Sequence, residues 1–407
     1  MASNGMPTSS SEGLLLNAEP FGFGPTAAIA DFFPHLRRMF GRVGYIGASH
    51  TLDLQTRLPY DTVYGITDTQ DALVSQALRE LRTHYSVFFT ALDFAMAEKA
   101  LNAGFRVVIY DPLTWYWREL PPVANHCLYI AQDFFGVRER IAKAGVRNPR
   151  VVAPIVDAPG ALQASEAGDA PDAPDARTRQ LAIASLQDAP SRGHVLLNLG
   201  GLSNPTWSAD DALAYARLIV EGFAASMKAR GETNFVIATN AGLAREFAHL
   251  NARNYTRDEM QRVLRTARYA LMTPGLGNIY DAARFNTPSI WLPPANDSQG
   301  QQRDLLRQND ILDAAIDWSD LLPGTNIDYR AEQEQVLFLI AEAVANTSRN
   351  DDARARLTAL MARLSDEVSS TSTGKCSALL QQFGSGGALE VANLVLRFAK
   401  ERNHAHL

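Results

Sequence analysis

Short apolar runs alternate with stretches of helical periodicity along nearly the whole chain, and the alternation breaks once, between Asp157 and Arg192. The runs at 14–17, 43–46, 86–90, 105–110, 127–130 and 150–154 have strand length, which predicts buried strands. Apolar residues at helical spacing fill the intervals at 27–40 and 92–103. Strands that alternate with helices pair in parallel. Such a sheet is covered on both faces and carries its ligand loops at the carboxyl ends of its strands.

The break contains AGDAPDAPDART, too poor in apolar residues to form a core, and reads as a linker or insertion. A second alternation starts with HVLLNLGG at 194–201 and predicts helices at 210–230 and 257–266 with strands at 234–239, 269–272 and 289–292. From about Ala331 the pattern is helical, ending in a helix over 388–402. A length of 407 residues exceeds what one core usually serves. The expected division is therefore a first α/β domain at 1–157, a linker at 158–191, a second α/β domain at 192–380 and a terminal helical segment at 381–407.

A formal charge of −6 gives no footprint for a long nucleic acid, although a local basic patch could hold a phosphate. The N-terminus lacks a signal-peptide pattern, and no apolar run approaches the roughly 18 residues of a spanning helix. Two distant cysteines, Cys127 and Cys376, give no disulfide framework. The expectation is a soluble, cytoplasmic protein.

The densest chemistry lies in TPGLGNIYDAARFNTPSIWLPPANDSQGQQ, at 273–302. A strand at 269–272 runs into a glycine turn and then a helix predicted over 278–285. Gly275 and Gly277 allow a ligand close to the backbone, and the amides of Asn278 and Ile279 at a helix start suit an anion such as a diphosphate. Asp281 could accept from a diol such as ribose, while Asn296, Asp297 and Gln299 offer groups for sugar hydroxyls.

This order of residues resembles the donor-binding signature of GT-B glycosyltransferases, both the natural-product type that uses UDP-sugars and the N-acetylglucosaminyltransferase of peptidoglycan synthesis. Thr273 stands at that signature's histidine, Gly275 at its glycine, Asn278 at its polar phosphate contact and Asp281 at its acid. NTPSIWLPPANDSQ is similar to the segment that ends in an acid/Gln pair. The resemblance implies two Rossmann-like domains facing each other across a cleft, with the C-terminal helix returning to the first domain. It also implies a hexosyltransferase acting on a nucleoside diphosphate sugar, UDP-linked, and a small-molecule acceptor. By it, Asp281 holds the ribose, Gly277, Asn278 and Ile279 the phosphates, and Asp297 and Gln299 the sugar. GLSNPTW at 201–207 resembles a loop that touches the donor, with Gly200, Gly201 and Ser203 as its contacts. A threonine at 273, where many retaining enzymes carry an acid, favours inversion.

In the first domain EPFGFGPT, at 19–26, corresponds to the loop where inverting relatives commonly place a catalytic histidine, and Phe21 and Phe23 stand there instead. Candidates for the base are Glu19, His35 and Asp93, with Asp31, His50, His126 and Asp133 as further strand-end or helix residues. Asp93 equally suits a helix cap. DPLTWYWRELP gathers Trp115 and Trp117 beside Arg118, a stacking surface for an acceptor or a packing plug. Phe23 joins Trp115 and Trp117 as an acceptor contact. FGSGGALE, at 383–390, reads as a turn before the last helix, with an anion-binding helix start as the alternative. No metal-ligand spacing occurs, so no metal or resident cofactor is expected. Two other readings remain open: a UDP-sugar 2-epimerase and a non-catalytic sugar-nucleotide-binding protein.

Overall fold

The computed structural model describes residues 10–66, 71–156, 193–200, 202 and 207–401. They form two compact units, Met1–Ile155 with Phe383–Leu407, and Val156–Gln382. The stretch read as a linker, at 158–191, lies outside the described residues.

The first unit is built on a seven-stranded parallel sheet in the order β3-β2-β1-β4-β5-β6-β7. Its strands are β1 (Ser10–Ala18), β2 (Phe40–Gly47), β3 (Thr62–Gly65), β4 (Val87–Ala91), β5 (Arg106–Asp111), β6 (Leu128–Gln132) and β7 (Arg150–Val152). The crossovers carry α1 (Gly24–Met39), α2 (Thr51–Gln55), α3 (Asp71–Leu81), α4 (Phe94–Asn102) and α5 (Val137–Ala144). Edge strand β3 was not anticipated, because TVYG is short and half-buried and gives no apolar run. Leu14, Leu16, Phe89, Val108 and Ile130 point into one core with the α1 residues Ile29, Phe32 and Leu36.

The second unit holds a five-stranded parallel sheet in the order β12-β11-β10-β8-β9. These are β8 (His194–Asn198), β9 (Phe235–Ala238), β10 (Ala267–Met272), β11 (Ser289–Trp291) and β12 (Ala314–Ala315). Its helices are α6 (Ala209–Ala229), α7 (Ala241–Glu246), α8 (Arg257–Thr266), α9 (Leu276–Phe285), α10 (Asp297–Gln308), α11 (Trp318–Leu321), α12 (Gln333–Arg349) and α13 (Asp351–Ser369), followed by α14 (Ala378–Phe383) at the unit boundary. Capping boxes fix two of the starts, Ser208 with Asp211 before α6 and Thr256 with Glu259 before α8. Leu357 and Met361 of α13 share a core with Ile219 and Phe223 of α6.

The last helix, α15 (Gly387–Lys400), belongs to the first unit. Its apolar stripe of Val391, Ala392, Val395 and Ala399 enters the core beside α1. Arg106 of β5 donates to the Ala399 carbonyl at 2.9 Å and lies over the Phe398 ring at 4.3 Å. The start of this helix is closed to ligands: the Gly387 amide donates to Pro154 at 3.0 Å, and a β-carbon on Gly387 would sit 1.9 Å from the Ala153 carbonyl oxygen. The anion-site alternative for 383–390 is corrected accordingly. We expect Gly387→Ala to cost about 1–3 kcal/mol by overpacking against backbone, read as a lower urea midpoint.

Candidate functional site

In a parallel sheet whose strand order reverses, adjacent crossovers leave in opposite directions and open a crevice at the carboxyl edge. The second unit reverses between β8 and β10, the first between β1 and β4. Both points carry the polar residues singled out from the sequence.

At the second unit's reversal, two side-chain hydrogen bonds cross between the β8 and β10 loops and two more brace the loops internally, one in each. Asn198 Nδ2 donates to Asn278 Oδ1 at 3.1 Å, while Asn198 Oδ1 accepts from the Gly200 amide at 2.9 Å. Thr273 Oγ1 donates to the Gly200 carbonyl at 3.0 Å, and Asn278 Nδ2 donates to the Thr273 carbonyl at 2.9 Å. Thr273, in place of a histidine, thus acts as a brace between the loops.

Helix α9 begins at this brace without a side-chain cap, its N-cap being Gly275. The first ladder bond runs from the Ile279 amide to the Gly275 carbonyl at 3.0 Å, so the amides of Leu276, Gly277 and Asn278 precede the ladder. A β-carbon at Gly275 or Gly277 would meet nothing within 4 Å. The result is an open helix start with its dipole and amides available to an anion.

Several expectations change here. The helix starts two residues earlier than the apolar spacing predicts, so Ile279, which is buried, spends its amide on the ladder and Leu276 takes its place. Asp281 is 4% exposed, and its Oδ1 accepts from Arg257 Nη2 at 2.9 Å while Oδ2 pairs with Nη1. Its carboxylate is engaged by Arg257, not presented to a diol. Asp297 and Gln299 form the buried first turn of α10 under the N-cap Asn296, and Gln299 Oε1 accepts from its own loop at Ala295, 2.9 Å. Both side chains are buried, and the capping contacts account for Gln299. Gly201 and Ser203 lie outside the described residues.

At the first unit's reversal, buried Asn17 joins three strands: Nδ2 donates to the Ile46 carbonyl at 3.0 Å and Oδ1 accepts from Thr90 Oγ1 at 2.7 Å. Beyond the strand ends, Glu19 meets Asp93. Burial, then the facing Asp93 carboxyl, pushes Glu19 up to about 8. Asp93 is raised as well by burial, against the Met96 amide, Lys99, Glu19 and Asn17, which pull it down. With Glu19 half-buried beside the buried Asp93, ionising both carboxyls together is unfavourable. Asp93 also caps α4, accepting from the Met96 amide at 2.9 Å. The helix-cap reading of Asp93 is thus observed directly.

The loops around the pair are conformationally forced. Leu92, directly before Asp93, sits at φ +66°, and Ser49, before His50, at φ +54°. A bulky residue in the left-handed region is strained, and such strain clusters where a side chain must be aimed. His50 Nε2 donates to the Gly22 carbonyl at 2.5 Å and its ring meets Phe23 edge-on at 5.3 Å. Trp117 packs edge-on against Phe94 at 5.6 Å, and its indole N–H donates to Asp111 Oδ2 at 2.9 Å. Asp111 is fully buried and pushed up to about 6 by that burial.

The remaining candidates do not join this group. His35 lies eleven residues along α1, which leaves the carboxyl edge and runs back, so it is roughly 16 Å down the helix. His126 precedes β6 and belongs to the opposite edge. Asp133 pairs with Arg138 at 2.6 Å. Trp115 is 8% exposed and packs on Phe134 at 5.7 Å as part of the core. Its packing supports the plug reading and leaves Tyr116 and Trp117 as the half-buried rings of that loop.

No family model and no curated protein matches the sequence. Among solved structures, the chain is similar to a putative UDP-N-acetylglucosamine 2-epimerase from Listeria monocytogenes, at 11% identity over 95% of each chain with a TM-score of 0.50. It is also similar to MurG of Acinetobacter baumannii, at 11% identity over 95% of this chain and 99% of that one, TM-score 0.48. A UDP-glucosyltransferase from Polygonum tinctorium matches at 13% identity over 95% and 99%, TM-score 0.42.

Two predictions test the site. Glu19 keeps its proton to about pH 8 when folded but only to its ordinary 4.5 when unfolded, so the folded state binds more protons between these values. Its contribution is therefore full below the lower value and lost as pH rises through the upper, and Glu19→Gln should flatten the fall in urea stability from pH 5 to 8. Gly277→Asp, in open space at a helix start, should leave the melting temperature within about 2 °C, since an acid there is favourable by about 0.3–1 kcal/mol. It should also weaken binding of inorganic pyrophosphate at this helix start, measured by calorimetry, at least ~10-fold through like-charge repulsion. The chain has a two-domain, Rossmann-like α/β fold, shared with the Listeria structure over 95% of each chain.

Proposed function

We propose that this protein is a glycosyltransferase of the hexosyltransferase type, moving a sugar from a UDP-linked donor to a small-molecule acceptor with inversion. The observation that carries the reading is the uncapped start of α9 at the β8/β10 reversal, with empty space over Gly275 and Gly277. The amides of Leu276, Gly277 and Asn278 would stabilise charge as it grows on the leaving diphosphate. Gly200 contributes through the brace, and the adjoining Gly201 and Ser203 are assigned to the same donor loop.

We assign the proton acceptor to the Glu19–Asp93 pair. With one proton held between Glu19 and Asp93, the ionised partner takes the proton of the acceptor hydroxyl. The acceptor oxygen then forms its bond to the anomeric carbon as the bond to the diphosphate breaks. Phe23 and Trp117 are assigned to the acceptor, because each is a half-buried ring beside this edge. No metal is required in this scheme and the nucleotide sugar is the only co-substrate.

The carboxyl pair also supports a second reading, 2-epimerisation of a UDP-sugar, in which the same base removes the proton from the ring carbon and a proton from solvent is returned to the opposite face of that carbon. Product analysis separates the two: the donor is converted without any acceptor in one case and only with an acceptor in the other.

A mass-spectrometric screen of UDP-, GDP- and dTDP-sugars against an acceptor panel tests the proposal. A UDP-sugar should raise the melting temperature by several degrees and be consumed. Asp93→Asn should reduce turnover roughly 10²–10⁴-fold while leaving UDP affinity within about twofold. Stabilisation by no nucleotide sugar, or full turnover in Asp93→Asn, would count against it.

A further inference from the structure

The scheme above uses one carboxyl pair of the first unit and leaves another carboxyl, the fully buried Asp111, without a task. We propose that Asp111 is a positioning residue of the acceptor site: through the indole N–H of Trp117 it fixes a wall made by the Trp117 and Phe94 rings, and that wall takes a flat, neutral aromatic hydroxy compound. The inference deepens the transfer reading and rests on it for calling this compound an acceptor.

The place of the wall follows from the sheet. Strands β4 and β5 pair in parallel with Ala91 beside Tyr110, so the residues after both leave at one edge. Asp93 and Phe94 follow β4, and Asp111 closes β5 ahead of the loop that carries Trp117. Both oxygens of Asp111 are engaged. Oδ1 accepts from the Leu113 amide at 2.7 Å, while Oδ2 accepts from Trp117 Nε1 at 2.9 Å and from the Tyr129 hydroxyl. Thr114 Oγ1 stands 2.9 Å from that hydroxyl. One carboxylate thus pins its loop at two points, the backbone at 113 and the indole at 117. Of the three side chains in this network, Thr114 and Tyr129 are buried and only Trp117 reaches the surface. An indole N–H lies in the plane of its ring, so holding it sets the tilt of the ring as well as its place. Phe94, next to Asp93, meets that ring edge-on at 5.6 Å.

Chemistry narrows the occupant. A fully buried carboxylate is costly, and an apolar residue closing β5 would serve packing alone. What the carboxylate adds is the direction of a half-buried ring. With the Trp117 N–H donated to Asp111, the two rings offer a ligand π surface and no hydrogen bond, which favours a flat aromatic over a sugar. Asp111 and the Glu19–Asp93 pair at the same edge oppose an anion, which favours a neutral compound. A hydroxyl on it is the group that the carboxyl pair can deprotonate.

Fluorescence titration of the full chain with 2-naphthol, and with 2-naphthoate as its anionic counterpart, tests this in wild type, Asp111→Asn and Trp117→Phe. Wild type should bind 2-naphthol at least ~10-fold tighter than 2-naphthoate, and each variant should lose at least ~10-fold in 2-naphthol affinity. Trp117 emission, isolated by subtracting the Trp117→Phe counterpart of each protein, should become more open to acrylamide quenching in the Asp111→Asn background. No binding of 2-naphthol by wild type, or 2-naphthoate binding as tight, overturns the inference. So does a folded Asp111→Asn with 2-naphthol affinity within about twofold of wild type and unchanged quenching, the mark of a purely structural acid. Should Asp111→Asn not fold, Trp117→Phe decides, because it keeps a ring but lacks the N–H that Asp111 holds: wild-type affinity there overturns the inference. If 2-naphthol binds through Trp117 yet yields a glycoside with none of the UDP-, GDP- and dTDP-sugars, the wall is upheld and the transfer reading fails.

Discussion

The brace between Asn198, Gly200, Thr273 and Asn278 is the interaction on which the rest of the second unit's site depends. Loops after neighbouring parallel strands diverge at a strand-order reversal, and without cross-links their backbone groups would collapse onto the helix start. Here side-chain amides satisfy the loop carbonyls and amides, and the first turn of α9 is left uncapped. A helix start held open in this way keeps unpaired donors at the surface, a cost that a ligand offsets. The same economy explains the glycines, which are needed not for unusual torsions but for the absence of side chains in the approach.

The first unit solves a different problem at its own reversal. Asn17 stitches β1, β2 and β4 together below the edge, and strained Leu92 turns Asp93 toward Glu19 while still allowing it to cap α4. Burial raises both carboxyls, so the pair retains a proton at neutral pH. That arrangement is unfavourable for stability alone, since two well-packed apolar residues would avoid the desolvation. Its persistence beside two forced backbone conformations points to chemistry as the reason.

How far the sequence was legible depended on the range of the interactions involved. Strand and helix periodicity gave the parallel α/β architecture, because burial on both faces writes itself into local apolar runs. Short, half-buried β3 escaped for the same reason in reverse. The glycine turn at 275–277 was readable from residue type, but the exact helix start was not, since apolar spacing does not register the uncapped first turn. The ion pair of Asp281 was not legible because its partner lies 24 residues upstream on another helix, and nothing local marks Arg257 as that partner. The Glu19–Asp93 pair was named residue by residue, yet their meeting is set by β1 and β4 lying side by side, a fact of topology. His35 fell away because only helix direction decides which end of α1 reaches the edge.

Hydrogen–deuterium exchange with and without UDP reports directly on the backbone amides proposed to take the phosphates. The expected result is slowed exchange in the second unit concentrated in peptides covering 198–200 and 273–280. Unchanged exchange across 273–280 under conditions where UDP is bound would contradict it.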